Sequence, residues 1–333
     1  MRMLRPLLTI GAAAFVTFGA AQAQTIKIGK IPSGNGFHIP TYVAMDQGFY
    51  KAEGLDAVFV LLDGRPMVTA LLAGSIDLAP IPSAGAQAAL SGAEIRYVVG
   101  ESLKSQWLFV ARPGINSMED LRGKIIGYGR AGAADYDEGA AVMRRAFKME
   151  VGKDYKVISL AGEPERIAAL ANGSIDAALI SVPHAPRAIN AGLKILLRTS
   201  DYIQRAGGTV WTRKAFADQN QDALKKFIRA IAKAVMFYRD DKAGAIKTLR
   251  AHLGVESDAD AAVIWEETRH TFGAELPPNN LREILESRRL EMIAAKQWPA
   301  DKPLPDPEQF LLRSLLDSTL AEMKYVPTKL DAK

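Results

Sequence analysis

The chain has 333 residues, 48% hydrophobic and 24% charged, a balance that suits two packed domains and excludes a disordered chain. Its formal charge of +5 is spread along the sequence rather than clustered, which speaks against a nucleic-acid partner. With no cysteine it has no disulfide, no thiolate nucleophile, no zinc–thiolate site and no N-terminal Cys to carry a lipid.

Residues 1–23 have the order of a secretory signal peptide: Arg2 and Arg5, an apolar run, then the small-x-small site Ala21-Gln22-Ala23. Cleavage is expected after Ala23, leaving a soluble chain free in the periplasm and not a lipoprotein. No later stretch is long and apolar enough to span a bilayer. Residues 25–31 alternate as a first strand, and the loop 32–38 carries Gly34 and Gly36, which let backbone approach a ligand. A helix over 40–50, a strand over 54–61 and a helix over 67–73 follow. This alternation implies a parallel sheet with right-handed crossovers. Residues 95–99 are a further strand, and 107–111 begin a crossing to a second lobe. There the spacing predicts a Ser-capped short helix at 117–121, a strand at 124–128, a loop at 129–136, a helix at 137–149, a strand at 155–159 and a helix at 163–171. A strand at 195–197 precedes a return crossing at 208–212. From Lys214 on the pattern is helical, with Leu224, Phe227, Ile228, Ile231 and Val235 on one face of 220–240. Helices at 243–253, 259–272, 281–294 and 309–323 are expected to cover the first lobe with it.

One phrase occurs twice. Residues 70–79 read Ala-Leu-Leu-Ala-Gly-Ser-Ile-Asp-Leu-Ala, and 169–178 read Ala-Leu-Ala-Asn-Gly-Ser-Ile-Asp-Ala-Ala. Gly74 and Gly173 suit the left-handed position that ends a helix. Asp77 and Asp176 are placed to accept turn amides. The apolar runs after them predict short buried parallel strands. The repeat therefore predicts two similar α/β lobes. The segments 80–85 and 181–186 are expected to be loops at the carboxyl ends of those strands, where open α/β sheets bind ligands.

A catalytic constellation is hard to assemble. Four histidines form no zinc-ligand spacing, and Ser83 and Ser181 have no base evident in the sequence. Gly34-Asn35-Gly36 lacks the rest of a dinucleotide fingerprint. Asp135, Asp137 and Glu138 open a helix, where carboxylates serve the dipole more often than proton transfer. No catalytic residue, metal or cofactor is assigned. Binding is better supported. Asn35, Phe37 and His38 lie in the loop after the first strand of one lobe, and Arg130, Ala131 and Gly132 in the equivalent loop of the other. The second loop runs into a helix N-terminus, whose amides favour an anion, and Arg130 adds a charged donor. Trp107 and Trp211 flank the crossings, where aromatic walls of a cleft are expected. A solvent-facing Arg130, a loop-fixing His38 and core tryptophans remain open alternatives.

Residues 42–56 contain Ala44, Gly48-Phe49-Tyr50 and Glu53-Gly54-Leu55-Asp56. With the twin phrase and the run Ser-Met-Glu-Asp-Leu-Arg-Gly-Lys-Ile-Ile-Gly at 117–127, this pattern resembles the solute-binding proteins of ABC importers for nitrate, sulfonates, taurine, thiamine-pyrimidine precursors and aromatic carboxylates. The resemblance spans residues 26–240. It implies a type II periplasmic binding fold with a two-strand hinge, the first lobe comprising 24–108 and 212–333 and the second 109–211. It also implies ligand contacts at Gly36 to His38, Ser83, Tyr128 to Ala133 and Ser181 to His184. The implied partners are a small anionic or aromatic solute and an inner-membrane permease, with the receptor a monomer. The synthase branch of the family carries a Cys-rich motif that this chain lacks. An enzyme on the same fold and an extracytoplasmic sensor are the alternatives.

Overall fold

The computed structural model describes residues 23–31, 36–62, 64–160, 162–203 and 205–328. The expected signal peptide, up to Gln22, and Asn35 lie outside them. In chain order, β1 (Gln24–Lys30) leads through a 3-10 turn (Gly36–His38) to α1 (Ile39–Asp46), α2 (Phe49–Ala52), β2 (Leu55–Leu61), α3 (Gly64–Leu72), α4 (Pro82–Leu90) and β3 (Ile95–Ser102). Then come β4 (Trp107–Ala111), β5 (Ile125–Tyr128), α5 (Ala134–Phe147), β6 (Lys156–Ser159), α6 (Glu163–Ala171), β7 (Ala177–Ser181), α7 (Ala185–Asn190) and β8 (Lys194–Arg198). The chain ends with β9 (Gly208–Arg213), α8 (Lys214–Gln219), α9 (Gln221–Asp240), α10 (Lys242–Leu253), α11 (Asp258–Thr268), α12 (Pro278–Ala294) and α13 (Arg313–Glu322).

Two sheets share one plan. In the first lobe β2 pairs with β1 in parallel, β1 meets a short segment through Ile28 and Leu78, that segment meets β9 through Ala79 and Trp211, and β9 pairs antiparallel with β3. In the second the order is β6-β5-β7-β4-β8. In each sheet the fourth position runs antiparallel and is filled by the strand that has just crossed from the other lobe. Membership of β4 and β9 puts the first crossing at 103–106 and the second between β8 and β9, ahead of the boundaries at 108/109 and 211/212 expected from the sequence.

The twin phrase builds the same joint twice. Gly74 and Gly173 have φ of 82° and 76°, which a side chain would resist. Asp77 Oδ2 accepts from Lys27 N at 2.8 Å and Asp176 Oδ2 from Ile125 N at 2.9 Å. These partners are amides of the neighbouring strand segment rather than the turn amides expected. An arginine closing each antiparallel strand completes the joint: Arg112 Nε donates to Asp176 at 2.9 Å, and Arg213 lies 4.0 Å from Asp77.

The largest core joins the first sheet to α9 through α13, with Leu224, Phe227, Ile228, Ile231 and Val235 buried as their spacing predicts. Tyr50 stacks on Phe227 at 5.7 Å between centroids, docking α9 onto the β1–β2 side. Two smaller clusters cover the second sheet. Several boundaries differ from expectation. The helix expected over 40–50 is broken by a turn between α1 and α2, and α5 starts before Asp137. The helix expected over 309–323 is a 3-10 turn (Pro307–Phe310) followed by α13. The segments expected as loops after the twin phrase lead at once into α4 and α7, each with proline in its first positions, where a missing N–H costs nothing.

Candidate functional site

The lobes enclose a cleft of about 1930 Å³. The first lobe contributes Phe37, His38, Arg65 at the start of α3, Gln87 of α4 and Arg288 of α12. The second contributes Trp107, the loop from Gly129 to Asp135, Tyr136, Glu163, His184 and Arg187. Among the residues expected at a ligand, Phe37, His38, Trp107, Arg130, Ala131, Gly132, Ala133 and His184 line this space. Phe37 and Trp107 face each other across the lobes, with centroids 5.0 Å apart. Gly36 sits behind them, pressed on the second lobe: a Cβ there would stand 2.4 Å from Pro183 Cγ.

Four expected contacts are absent from the lining because their side chains are occupied elsewhere. Ser83 is buried in the first turn of α4 and accepts from Arg205 Nη2 at 3.1 Å. Ser181 turns toward α6, its Oγ donating to Glu163 at 2.8 Å and its backbone N–H at 2.6 Å. Tyr128 packs in the second lobe's core among Phe109, Tyr136 and Tyr155. Trp211 is in the first lobe's core with Nε1 donating to Ile81 O at 3.0 Å. The pattern of a strand alternates its faces, and nothing local says which face Tyr128 or Trp211 takes.

Sequence reading missed Arg65, Gln87, Tyr136, Glu163, Arg187 and Arg288. Tyr136 ends the loop that was singled out, so its place was within reach. Arg288 comes from a helix more than a hundred residues further on, and no local signal points to it.

The second lobe's loop is held firmly. Asp135 Oδ2 accepts from Gly129 N at 2.6 Å and pairs with Arg166 at 2.7 Å. Arg166 in turn donates to Leu160 O and Leu179 O. The N-cap of α5 is Ala133, and no side chain caps the helix. The three acids of its first turns each face a buried or nearly buried arginine from a different element: Asp135 faces Arg166, Asp137 faces Arg288 at 2.9 Å, and Glu138 faces Arg205 at 3.4 Å. Burial pushes the Asp137 carboxyl up to about 7 although Arg288 opposes it, and burial raises Glu138 against the pull of Arg205. These acids are thus internal anchors, as their position at a helix start suggested. Three other cationic side chains of the cleft are placed differently. Arg65, Arg130 and Arg187 are exposed, and Arg130 reaches across the gap, its Nη2 3.5 Å from where a Cβ on Gly64 would lie. Among the described residues no group of His, Asp and Glu has the arrangement of a metal site, and no helix is long and apolar enough to cross a membrane.

Residues 35–245 match the family model described as NMT1/THI5 like. A chain of Brucella abortus (strain 2308), provisionally named a binding protein, is 28% identical over 260 residues, covering 73% of this chain and 78% of that one. The periplasmic aliphatic sulphonate binding protein SsuA of Escherichia coli superposes with a TM-score of 0.72 at 18% identity, over 88% of this chain and 99% of that one. The fold is not confined to binding proteins. The desulfurization enzyme DSZB superposes with a TM-score of 0.65 at 16% identity, over 90% of this chain and 99% of that one.

Proposed function

The chain belongs to the NMT1/THI5-like family, and from that premise we propose that it is the periplasmic solute-binding component of an ABC importer. It captures a small solute bearing an oxyanion and an apolar or aromatic body, of sulfonate or aromatic carboxylate type, and hands it to a membrane permease. The observation that carries this reading is the sorting of charge in the cleft. Of the acids that line it, Asp135 is buried and paired with Arg166 and Glu163 is held by Ser181, while exposed arginines from both lobes, Arg65 of the first and Arg130 and Arg187 of the second, face the shared space and outnumber the exposed acid Glu256. An anion between them draws both lobes together. The uncapped start of α5 adds amides to that field. Phe37 and Trp107 form a wall for the solute's body.

Capture works as a population shift. Among the described residues two short crossings link the sheets, and they act as the hinge. A solute that touches both lobes binds the closed form more tightly than the open one, and that difference sets how far it closes the protein. The receptor acts as a monomer and returns its solute unchanged.

The test is a thermal-shift and native mass-spectrometry screen of the mature protein with benzenesulfonate, taurine, nitrate, benzoate and a pyrimidine. One solute per chain, recovered intact, is expected. Chemical conversion of the bound compound overturns the reading in favour of an enzyme on this fold.

A further inference from the structure

Arg288 of α12 lines the cleft with a guanidinium held on two sides. Its Nε donates to Gln87 Oε1 of α4 at 2.7 Å, within the first lobe. Its Nη1 donates to Asp137 of α5, in the second lobe, at 2.9 Å. The side chain is only 11% exposed. Among the described residues Nη2 makes no hydrogen bond, and it is not one of the polar atoms sealed from solvent. Gly132 marks where this nitrogen lies. A Cβ on Gly132 would stand 3.0 Å from Nη1 and 3.4 Å from Nη2, and the residue has a φ of 88°. Gly132 lines the cleft as well, so Nη2 opens on the cleft beside the loop that leads into α5.

A guanidinium does not lose its charge in a protein, and Nη2 carries hydrogens and no acceptor lone pair. This nitrogen therefore only donates. A solute that covers it without supplying an acceptor leaves charged N–H groups buried and unpaired, which is costly, whereas an oxyanion satisfies them with a charge-assisted bond. The two fixed bonds also give the group a place in closure. Gln87 and Arg288 belong to the same lobe, so Gln87 aims the guanidinium before the lobes meet. Asp137 and Gly132 belong to the other lobe and reach it only when the cleft is shut.

We propose that Arg288 is a solute contact: in the closed form Nη2 donates to an oxygen of the solute's sulfonate or carboxylate while Nη1 holds Asp137. The proposal deepens the receptor reading and rests on it for the solute. Arg288 makes the contact, and Gln87 is a positioning residue that orients it. The same guanidinium then selects an oxyanion over an uncharged relative and ties its capture to the meeting of the lobes.

The contact is read by calorimetric titration of benzenesulfonate, benzoate and the uncharged benzamide into the wild type, Arg288→Gln and Arg145→Gln. Arg145 pairs with Glu283 in the same seam between α5 and α12 and is not part of the cleft lining, so its variant loosens the seam and leaves the Arg288 guanidinium in place. Arg288→Gln is expected to lose about 10-fold or more in affinity for both anions, as for a hydrogen bond to a charged group, and with it most of the preference for benzoate over benzamide. Arg145→Gln is expected to stay within about 3-fold of the wild type for all probes. The double variant Arg288→Met/Asp137→Leu, which leaves no lone buried charge, should repeat the loss and guards against a defect of folding. Anion affinities in Arg288→Gln within about 3-fold of the wild type overturn the proposal. An equal loss for benzoate and benzamide, or a loss in Arg145→Gln as large as in Arg288→Gln, overturns it as well, because Arg288 is then a bridge between the lobes and nothing more. If no organic probe binds the wild type, the oxyanion-receptor reading fails on its own account, and millimolar inorganic sulfate at fixed ionic strength decides the contact. A thermal shift in the wild type that Arg288→Gln lacks upholds the Nη2 donor, and equal shifts or none overturn it.

Discussion

Arg288 Nη1 donates to both carboxylate oxygens of Asp137, at 2.9 and 3.2 Å, across the gap between the lobes. The same guanidinium donates from Nε to Gln87 at 2.7 Å, so one side chain of α12 holds α4 of the first lobe and α5 of the second. Arg145 with Glu283 at 2.8 Å, and Arg144 with Glu291, join α5 to α12 as well. These pairs must break or stretch when the lobes part. Replacing Arg288 by Met takes away the ion-pair partner of buried Asp137 and leaves only the weaker pull of Arg205; at pH 8, where the carboxylate is ionised, the loss of stability is expected to be about 3 kcal/mol, as for breaking a buried pair on one side. The double variant R288M/D137L removes both charges and regains most of that loss. Urea unfolding of the three proteins checks this, and small-angle scattering should show R288M more expanded than the wild type. An R288M variant as stable and as compact as wild type would mean the bridge contributes nothing.

The same carboxylate gives stability a pH dependence. Burial pushes Asp137 up to about 7, against about 3.9 in an unfolded chain. The folded state therefore holds this proton more tightly. Its contribution is full below about pH 4 and is lost as pH rises through about 7. The unfolding free energy of the wild type, measured against D137N to cancel other groups, should fall between pH 5 and pH 8. A difference that stays flat across that window would show that Asp137 is ionised throughout it.

Arg130 offers the clearest binding test on the second lobe. It lies in the cleft lining, exposed, and extends toward α3 of the first lobe. A charged hydrogen bond to an oxyanion contributes about 1.5–3 kcal/mol, so Arg130→Ala should weaken benzenesulfonate binding by about 10- to 150-fold. Calorimetric titration measures this. Unchanged affinity would take Arg130 out of the site.

What could be read from the sequence was what is local and repeated. The helix–Gly–strand phrase around Gly74 and Gly173 carries its own dihedral and burial signature, so two matching lobes followed from it. The partners of its aspartates did not, because Lys27 and Ile125 belong to segments about fifty residues earlier. The cleft loops were legible for a similar reason: they follow strands, and Phe37, His38 and Arg130 do line the cleft. Side-chain direction was not. Ser83 and Ser181 follow matching strands, yet each hydroxyl turns inward, to Arg205 and to Glu163. Those partners are set by tertiary packing, which one-dimensional spacing does not encode. Arg288 was invisible for the same reason, lying on a helix whose place over the cleft depends on the whole first-lobe core.

Ser83 separates the two readings of such a residue. Arg205 is buried beside the return crossing, and its Nη2 donates to Ser83 Oγ at 3.1 Å. Nε, 3.4 Å from Glu138, and Nη1 have no hydrogen-bond partner among the described residues. Among the described residues Ser83 thus accepts the one hydrogen bond this guanidinium makes, and it joins α4 of the first lobe to the hinge. Ser83→Ala removes that hydrogen bond and leaves the buried guanidinium only its 3.4 Å pair with Glu138, so it should lower stability by about 1–3 kcal/mol. Because Ser83 lies beneath the cleft surface, solute affinity should change by less than about 3-fold, which is within about 0.7 kcal/mol. Paired urea and calorimetric measurements distinguish the cases. A variant with wild-type stability and weakened affinity would return Ser83 to the ligand contacts, where the position of its loop first suggested it belonged.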